Sequence, residues 1–424
     1  MFSSFILKFR IAVTDPVIRN RILFVIAAFA IFRFLAAVPI PGVDHVALAA
    51  FFENNQFLGL LNIFSGGGFS SLSVVMLGVA PYITASIIMQ LATILFPAVK
   101  RMYSEEGEAG RAKFIEWSRI LTIPIAVVQA VGFLSLLQNQ GILGNLGTIP
   151  FVMNIVLVAA GSMLLMWVGE LITEFGIGNG VSLIIFAGIA SRIPSAVSQL
   201  LFTATAANIP AYLAFVLLAV AVIYAVVIVS EAERSIPIAY ARQVRGAANA
   251  TGAATYLPIR LLQTGVIPII FALSLLLFPQ MILSGLTSAG FAWAASLSIW
   301  YAGFAANTLA YGIAYFVLVV IFTYFYTSIT FEPHKVAENL QKSGAFVPGV
   351  RPGPETERYI GNVVNRITLP GATFLGLVAV VPFIIQGLTG VTAILVGGTA
   401  LLIAVQVILD VVRKVDAQVS LREY

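Results

Sequence analysis

Apolar runs of about twenty residues recur along the chain, separated by shorter polar stretches. As helices rising 1.5 Å per residue, such runs match the roughly 30 Å hydrocarbon core of a bilayer. They predict ten membrane spans, over residues 22–40, 74–96, 118–138, 151–172, 181–201, 211–230, 261–283, 307–329, 368–388 and 391–411. The second run is the least regular. Asn62–Ser73 before it is rich in Gly, Ser and Phe, and is too short and polar to cross. Gly78 and Pro81 interrupt the run itself, and Thr84, Ser86 and Gln90 are polar. Backbone of that kind beside a span is tolerated only where protein buries it or where it lines a wet cavity. The pattern predicts a half-inserted segment beside a pathway.

Composition agrees with a polytopic membrane protein. Of 424 residues, 60% are apolar and 10% charged, against about 25% charged in a soluble domain. Mean hydropathy is +1.00. Every Lys and Arg except Arg33 and Arg192 falls in the N-terminal tail, in the 97–119, 231–260 or 330–367 loops, or in the C-terminal tail. With an even number of spans these segments share one side, which the positive-inside rule makes the cytoplasm. The opposite loops, 139–150, 202–210 and 284–306, have no Lys or Arg. Both termini are then cytoplasmic. The first 21 residues carry positive charge but no small-residue cleavage site, and read as an amphipathic interfacial helix. Arg33 suggests a structural pairing or a place on a pathway, and Arg192 snorkelling to the outer boundary. Trp293, Trp300 and Tyr301 read as interfacial anchors in an apolar outer loop that lies along the membrane. Five spans precede the 202–210 loop and five follow it, the parity of an inverted repeat. This divides the chain into residues 1–205 and 206–424.

Candidate chemistry is sparse. The chain has no cysteine, hence no disulfide, thiolate nucleophile or Cys-based metal site. His45 and His334 sit in separate polar connections and form no ligand pair. No GxxxxGK[ST] phosphate loop occurs. A solute transporter would gather ionisable residues near the midplane, yet the spans hold little beyond Arg33, with Glu170 and Glu174 near a cytoplasmic end. An intramembrane enzyme would need a catalytic constellation in the spans; Asp410 is the one aspartate there, near a cytoplasmic end. The 231–260 and 330–367 loops are long for connectors. Their apolar residues (Ile236, Pro237, Ile238, Tyr240; Phe346, Val347, Pro348) argue for folded structure, and their charge suits docking of an acidic or nucleic-acid partner.

Seven stretches carry a resemblance: NIFSGGGFS, APYITASIIMQL, EEGEAGR, TEFGIGNGVSLIIFAGI, SIPIAYARQ, GVIPIIFA with LLFP, and SGAFVPGVRPG. In this order they resemble the bacterial SecY family, channel subunits of the protein-conducting translocon, over nearly the whole chain. The resemblance implies an all-helical membrane protein, with ten helices in two inverted halves around a central pore. It implies a plug at Asn62, Ile63, Phe64, Ser65, Gly66, Gly67 and Gly68. It implies an apolar pore ring at Val79, Ile83, Val181, Ile185, Ile270 and Ile403, with valine at two positions where the family more often has isoleucine. It implies a lateral gate between the second and seventh helices, with Thr84, Ser86, Gln90, Gln129 and Ser274 as its polar lining. Docking of the SecA motor or the ribosome would use Arg242, Arg245 and Arg351, although the 231–260 loop is less basic than is usual in the family. The expected function is passage of unfolded secretory polypeptides across the bacterial cytoplasmic membrane and sideways release of membrane segments into lipid. No enzymatic activity and no cofactor are implied. SecE and SecG subunits, signal sequences, nascent chains and lipids are the further partners.

Overall fold

The structure is a computed structural model that describes residues 14–43, 71–139, 141–144, 147–191, 194, 198, 209–240, 255–263, 265, 267–288, 290–389 and 393–420. Thirteen helices and three strands follow in order. They are α1 Pro16–Ala37, α2 Ala80–Leu95, α3 Pro97–Ser104, α4 Gly107–Asn139, α5 Thr148–Phe175, α6 Gly180–Ala190 and α7 Ile209–Glu231. Then come β1 Glu233–Tyr240, β2 Thr255–Arg260, α8 Ile267–Ser288, α9 Ala292–Ala306, α10 Thr308–Thr330, α11 Pro333–Lys342, β3 Ala345–Phe346, α12 Pro354–Thr389 and α13 Ala393–Ser420. A helix lies in each of the ten apolar runs. Among the described residues six are long and apolar enough to cross a membrane, and the bent pair α2–α3 makes a seventh if it is one span.

Local chemistry sets the helix ends. Asp15 caps α1, its Oδ1 accepting from the Val17 and Ile18 amides, with Pro16 starting the first turn. Phe96 is extended ahead of Pro97, and the chain bends by 113° there. The short α3, with Lys100 and Arg101, turns away from the span. Asn179 caps α6 by accepting from the Ser182 amide at 3.1 Å. The Thr173 hydroxyl ties the α5–α6 corner by donating to the Gly169 carbonyl and accepting from the Gly180 amide, each at 2.9 Å.

The second span differs from the sequence expectation. Its helix starts at Ala80, not at residue 74, because Pro81 sits in its first turn and Gly78 is left-handed at φ 59°. Residues 71–79 instead run as successive tight turns, with Met76, Gly78 and Ala80 amides donating three residues back. Leu72, Ser73, Val75, Met76, Leu77 and Val79 are buried nonetheless. The polar backbone finds partners on the chain after α1: the Ile40 amide donates to the Leu72 carbonyl at 2.9 Å and the Val74 amide to the Val38 carbonyl at 3.0 Å. Ser71 Oγ donates to the Ala36 carbonyl. Irregular backbone is thus enclosed by protein, as membrane depth requires.

Three helices outrun their apolar segments. α4 begins 11 residues before the expected span, α12 begins 14 before, and α13 continues 9 beyond. At 36 residues α12 is roughly 54 Å long, well over the membrane core, so its first turns project at the basic end. There Ile360 and Val364 pack with Ile236, Ile259 and Val347 in a separate small core. Strands β2-β1-β3 form an antiparallel sheet over it, with Ile236 paired to Leu257 and Tyr240 to Ala345. The two long loops therefore fold together into one platform. At the same end Val419 of α13 packs on Ile18 and Ile177, joining the two ends of the described chain.

Two further expectations change. Arg33 makes no ion pair among the described residues; it is exposed on α1, one turn from Ala37, where a long side chain reaches the membrane boundary. Trp293 and Trp300 are exposed as anchors would be, but Tyr301 is buried, because its hydroxyl donates to the Leu276 carbonyl of α8. Arg192 lies outside the described residues.

Gly161 of α5 tests the enclosure of the irregular segment. A Cβ there would lie 2.2 Å from the Val74 carbonyl oxygen. Gly161→Val is expected to lower thermal stability in detergent by about 1–3 kcal/mol. Gly303→Ala, with nothing within 4 Å, should leave it nearly unchanged.

Candidate functional site

Between α2, α4, α5, α6, α8 and α10 lies a cavity of about 440 Å³. Its lining is two-sided in chemistry. Ile83, Val181, Ile185 and Ile270 bring aliphatic side chains from α2, α6 and α8 to its wall. Tyr82, Ser86, Gln90, Arg119, Glu170, Thr173, Glu174 and Asn179 supply polar groups. Arg119 and Glu170 join α4 to α5 through a 2.7 Å ion pair. Both belong to the helix ends nearest the basic loops, so the polar part of the cavity faces that end.

The sequence places six residues in an apolar ring. Val79, Ile83, Ile185, Ile270 and Ile403 are buried in one contiguous core, and Val181 packs against it partly exposed. Val79 is the residue that caps α2, not a member of the helix, so it reaches the core from the turn that Gly78 allows. Val181 and Ile185 sit one turn apart at the start of α6, held by the Thr173 corner. Four of the six line the cavity. Val79 and Ile403 do not, and stay within the apolar core beside it.

The five polar gate residues fall on three helices of one seam. Gln129 of α4 donates from Nε2 to Thr84 Oγ1 of α2 at 3.5 Å, and Thr84 donates in turn to the Ala80 carbonyl. Gln90 Nε2 donates to Ser86 Oγ at 3.0 Å, and Gln90 and Tyr326 of α10 both line the cavity. Ser274 is buried on α8, one turn from Ile270. Oε1 of both Gln90 and Gln129 is buried without a partner among the described residues. The direct contact between α2 and α8 is slight. By contrast α4 and α8 meet closely: Gly285 approaches Gly132, and Ser284 Oγ donates to the Gly132 carbonyl at 3.2 Å. Both α2 and α8 pack mainly on α4 and share a shorter seam with each other. Phe271 of α8 meets Phe322 and Tyr326 of α10 edge-on, at 6.0 and 5.1 Å between ring centres.

On the platform Arg351 is exposed at the tip of a rigid turn. Val347 is buried beneath it, Gly349 and Gly353 take φ of 82° and 101°, and Thr356 Oγ1 donates to the Arg351 carbonyl at 2.8 Å. Lys342 and Arg358 are engaged by Glu338 and Glu355, and the Lys342 hydrogen bond holds the Glu338 carboxyl below the usual carboxylate range. Arg351 has no ion pair among the described residues, so its charge is presented outward. Arg242 and Arg245, and the expected plug Asn62–Gly68, lie outside the described residues. Sequence reasoning did not find Tyr82, Arg119 or Tyr326. The opposite charges of Arg119 and Glu170 at one membrane end were a usable signal; nothing in the sequence distinguishes Tyr326 from the other tyrosines of its helix. Among the described residues no group of acidic or histidine side chains could hold a metal ion.

Residues 73–412 match the sequence family SecY. A protein translocase subunit SecY of Helicobacter pylori is 41% identical over 421 residues, covering 97% of this chain and 98% of that protein. One from Mycobacterium bovis is 39% identical over 445 residues, covering 100% and 99%. Among solved structures, a protein conducting channel shares the fold with TM-score 0.67 at 21% identity, over 96% of this chain and 94% of that one. A SecY structure concerned with the plug domain and the closed channel gives 0.69 at 21% identity, over 96% and 93%. Sec61 in a canine ribosome–channel complex gives 0.64 at 20% identity, over 96% and 94%. Identity near two residues in five, sustained across the full length of the relatives, extends well beyond the shared fold, and the chain belongs to the SecY family of protein translocase subunits.

Proposed function

We propose that the chain is the pore-forming subunit of a protein-conducting channel, passing unfolded polypeptides across the membrane and releasing apolar segments sideways into lipid. The observation that carries this is the cavity whose apolar wall is formed by Ile83, Val181, Ile185 and Ile270 and whose flank is the α2–α8 seam. A narrow aliphatic constriction disfavours water and ions by dewetting. It makes no directional bonds, so it accommodates any side chain that passes. The seam supplies the second property. It is short, and a membrane hydrogen bond is worth only about 0.6–2 kcal/mol. An apolar helix inserting between α2 and α8 exchanges these contacts for its own.

The remaining assignments follow the same reading. The basic end faces the cytoplasm of a bacterium, with both termini on that side. The two halves, 1–205 and 206–424, hinge around the pore, with residues 62–68 as the plug. The chain performs no bond chemistry; SecA with ATP, or translation, supplies the driving energy. Arg351 and, in the sequence of the 231–260 loop, Arg242 and Arg245 receive SecA or the ribosome, whose RNA would be met through phosphate contacts. The canine relative's ribosome–channel complex supports that use of the platform. SecE and SecG complete the complex, and signal sequences open the seam.

Three outcomes test this reading. Reconstituted with SecE, SecG, SecA and ATP, the chain is expected to carry a secretory precursor into protease-protected vesicle space; uptake of small solutes with no precursor transport contradicts it. Ile83→Asn with Ile270→Asn should raise ion leakage through the idle channel, measured as dissipation of an imposed potential, and unchanged leakage contradicts the ring. Arg351→Glu should weaken SecA or ribosome binding by about tenfold, ~1.4 kcal/mol, while thermal stability is unchanged.

A further inference from the structure

The channel reading leaves the chemistry of helix α9 unused. This helix packs on α8 through a narrow strip: Ala294 and Tyr301 are buried with Leu283, and Ser298 lies between them on the same face. Phe304 and Ala305 at its end pack toward α10 and the main core, and the opposite arc is open. Trp293 is 59% exposed, Ile299 74% and Trp300 66%. Leu297 is exposed on the face that joins Trp293 to Trp300, at i+4 and i+7. Water does not suit this arc, for no Asp, Glu, Lys, Arg or His occurs between Arg260 and Glu332. A protein interface of ordinary kind would carry a polar, charged rim around such a core, and here the rim is absent. At 15 residues α9 is roughly 22 Å long, too short to cross the hydrocarbon core.

Position completes the argument. α8 ends at Ser288 and α10 begins at Thr308, so both ends of α9 are held by membrane-spanning helices at the end away from the basic loops. Its open face continues in sequence into the stripe Leu309, Ile313, Val317 and Ile321, all exposed on one side of α10. An exposed apolar stripe of this kind on a spanning helix suits contact with lipid. Tryptophan is enriched at the headgroup level of bilayers. Finally, the Tyr301 hydroxyl donates to the Leu276 carbonyl, within one turn of Pro279. Pro279 has no amide to give to the carbonyl of Leu275, so this is the turn of α8 with the weakest internal bonding.

We propose that α9 lies in the headgroup–acyl boundary with membrane lipid as its occupant, and that Tyr301 fastens the proline-interrupted turn of α8 to it. The gate helix is thereby moored to one leaflet. That α8 is a gate helix rests on the channel reading; the seating of α9 does not.

Depth-dependent quenching tests the seating in the full-length chain. Trp117→Phe with Trp167→Phe leaves Trp293 and Trp300 as the indoles, and a further Trp300→Phe isolates Trp293. The chain is reconstituted in phosphatidylethanolamine–phosphatidylglycerol vesicles with bromines at defined acyl positions. The expected result is blue-shifted emission, quenched most by the shallowest bromines. Red emission insensitive to brominated lipid means exposure to water and overturns the proposal. Blue emission insensitive to brominated lipid means cover by protein, a second copy or another subunit, and overturns it too. So does quenching strongest near the bilayer centre. None of these readings requires transport activity, so a failure of the channel reading is seen separately. For the mooring, Tyr301→Phe keeps the ring and removes the donor. Amide exchange over residues 276–283 should then rise about threefold, the factor that ~0.6 kcal/mol sets. Unchanged exchange there overturns the mooring.

Discussion

Backbone amides and carbonyls at membrane depth must be paired by protein, and the chain meets that demand where it abandons the helix before α2. Residues 71–79 are held by the strand-like segment after α1, and Gly161 of α5 is bare so that the Val74 carbonyl can pass. The enclosure fixes where α2 begins. It therefore fixes Val79 at the cap and Ile83 one turn in. The placement of Val79 and Ile83 in the core is in this sense a product of backbone bonding.

From that fixed point the bundle shows two grades of contact. The α4–α8 pair is close, glycine against glycine, and the α4–α5 pair is pinned by Arg119 and Glu170. The α2–α8 seam is shorter than the contact either helix makes with α4. At the basic end the same economy holds. α12 outruns the membrane, and its first turns provide the apolar core on which β1, β2 and β3 fold, so the exposed Arg351 stands on a rigid base.

Much of this was legible in the sequence. The ten apolar runs all carry helices, and the apolar residues of the two long loops do form a core. Ile83, Val181, Ile185 and Ile270 line one cavity, while Val79 and Ile403 lie in the apolar core beside it. Hydropathy missed what it cannot sense. It does not see backbone conformation, so residues 74–79 passed for helix although Gly78 and Pro81 stood in them. It stops at the first polar residues, so the amphipathic projections of α4 and α12 were cut short. It treats every aromatic residue near a boundary alike, whereas Trp293 and Trp300 are exposed and Tyr301 is buried, its hydroxyl donating to the Leu276 carbonyl 25 residues away in a different helix. The contribution of Tyr326 depends on tertiary placement alone.

The most direct test joins α2 to α8. The chain has no cysteine, so Ser86→Cys can be paired with Ile267→Cys, Phe271→Cys or Ser274→Cys without background. Precursor transport into reconstituted vesicles is then measured before oxidation, after it, and after reduction. Oxidation that blocks transport, with recovery on reduction, is the predicted result. Pairs that cross-link completely while transport continues at the original rate would contradict a channel that must open along this seam.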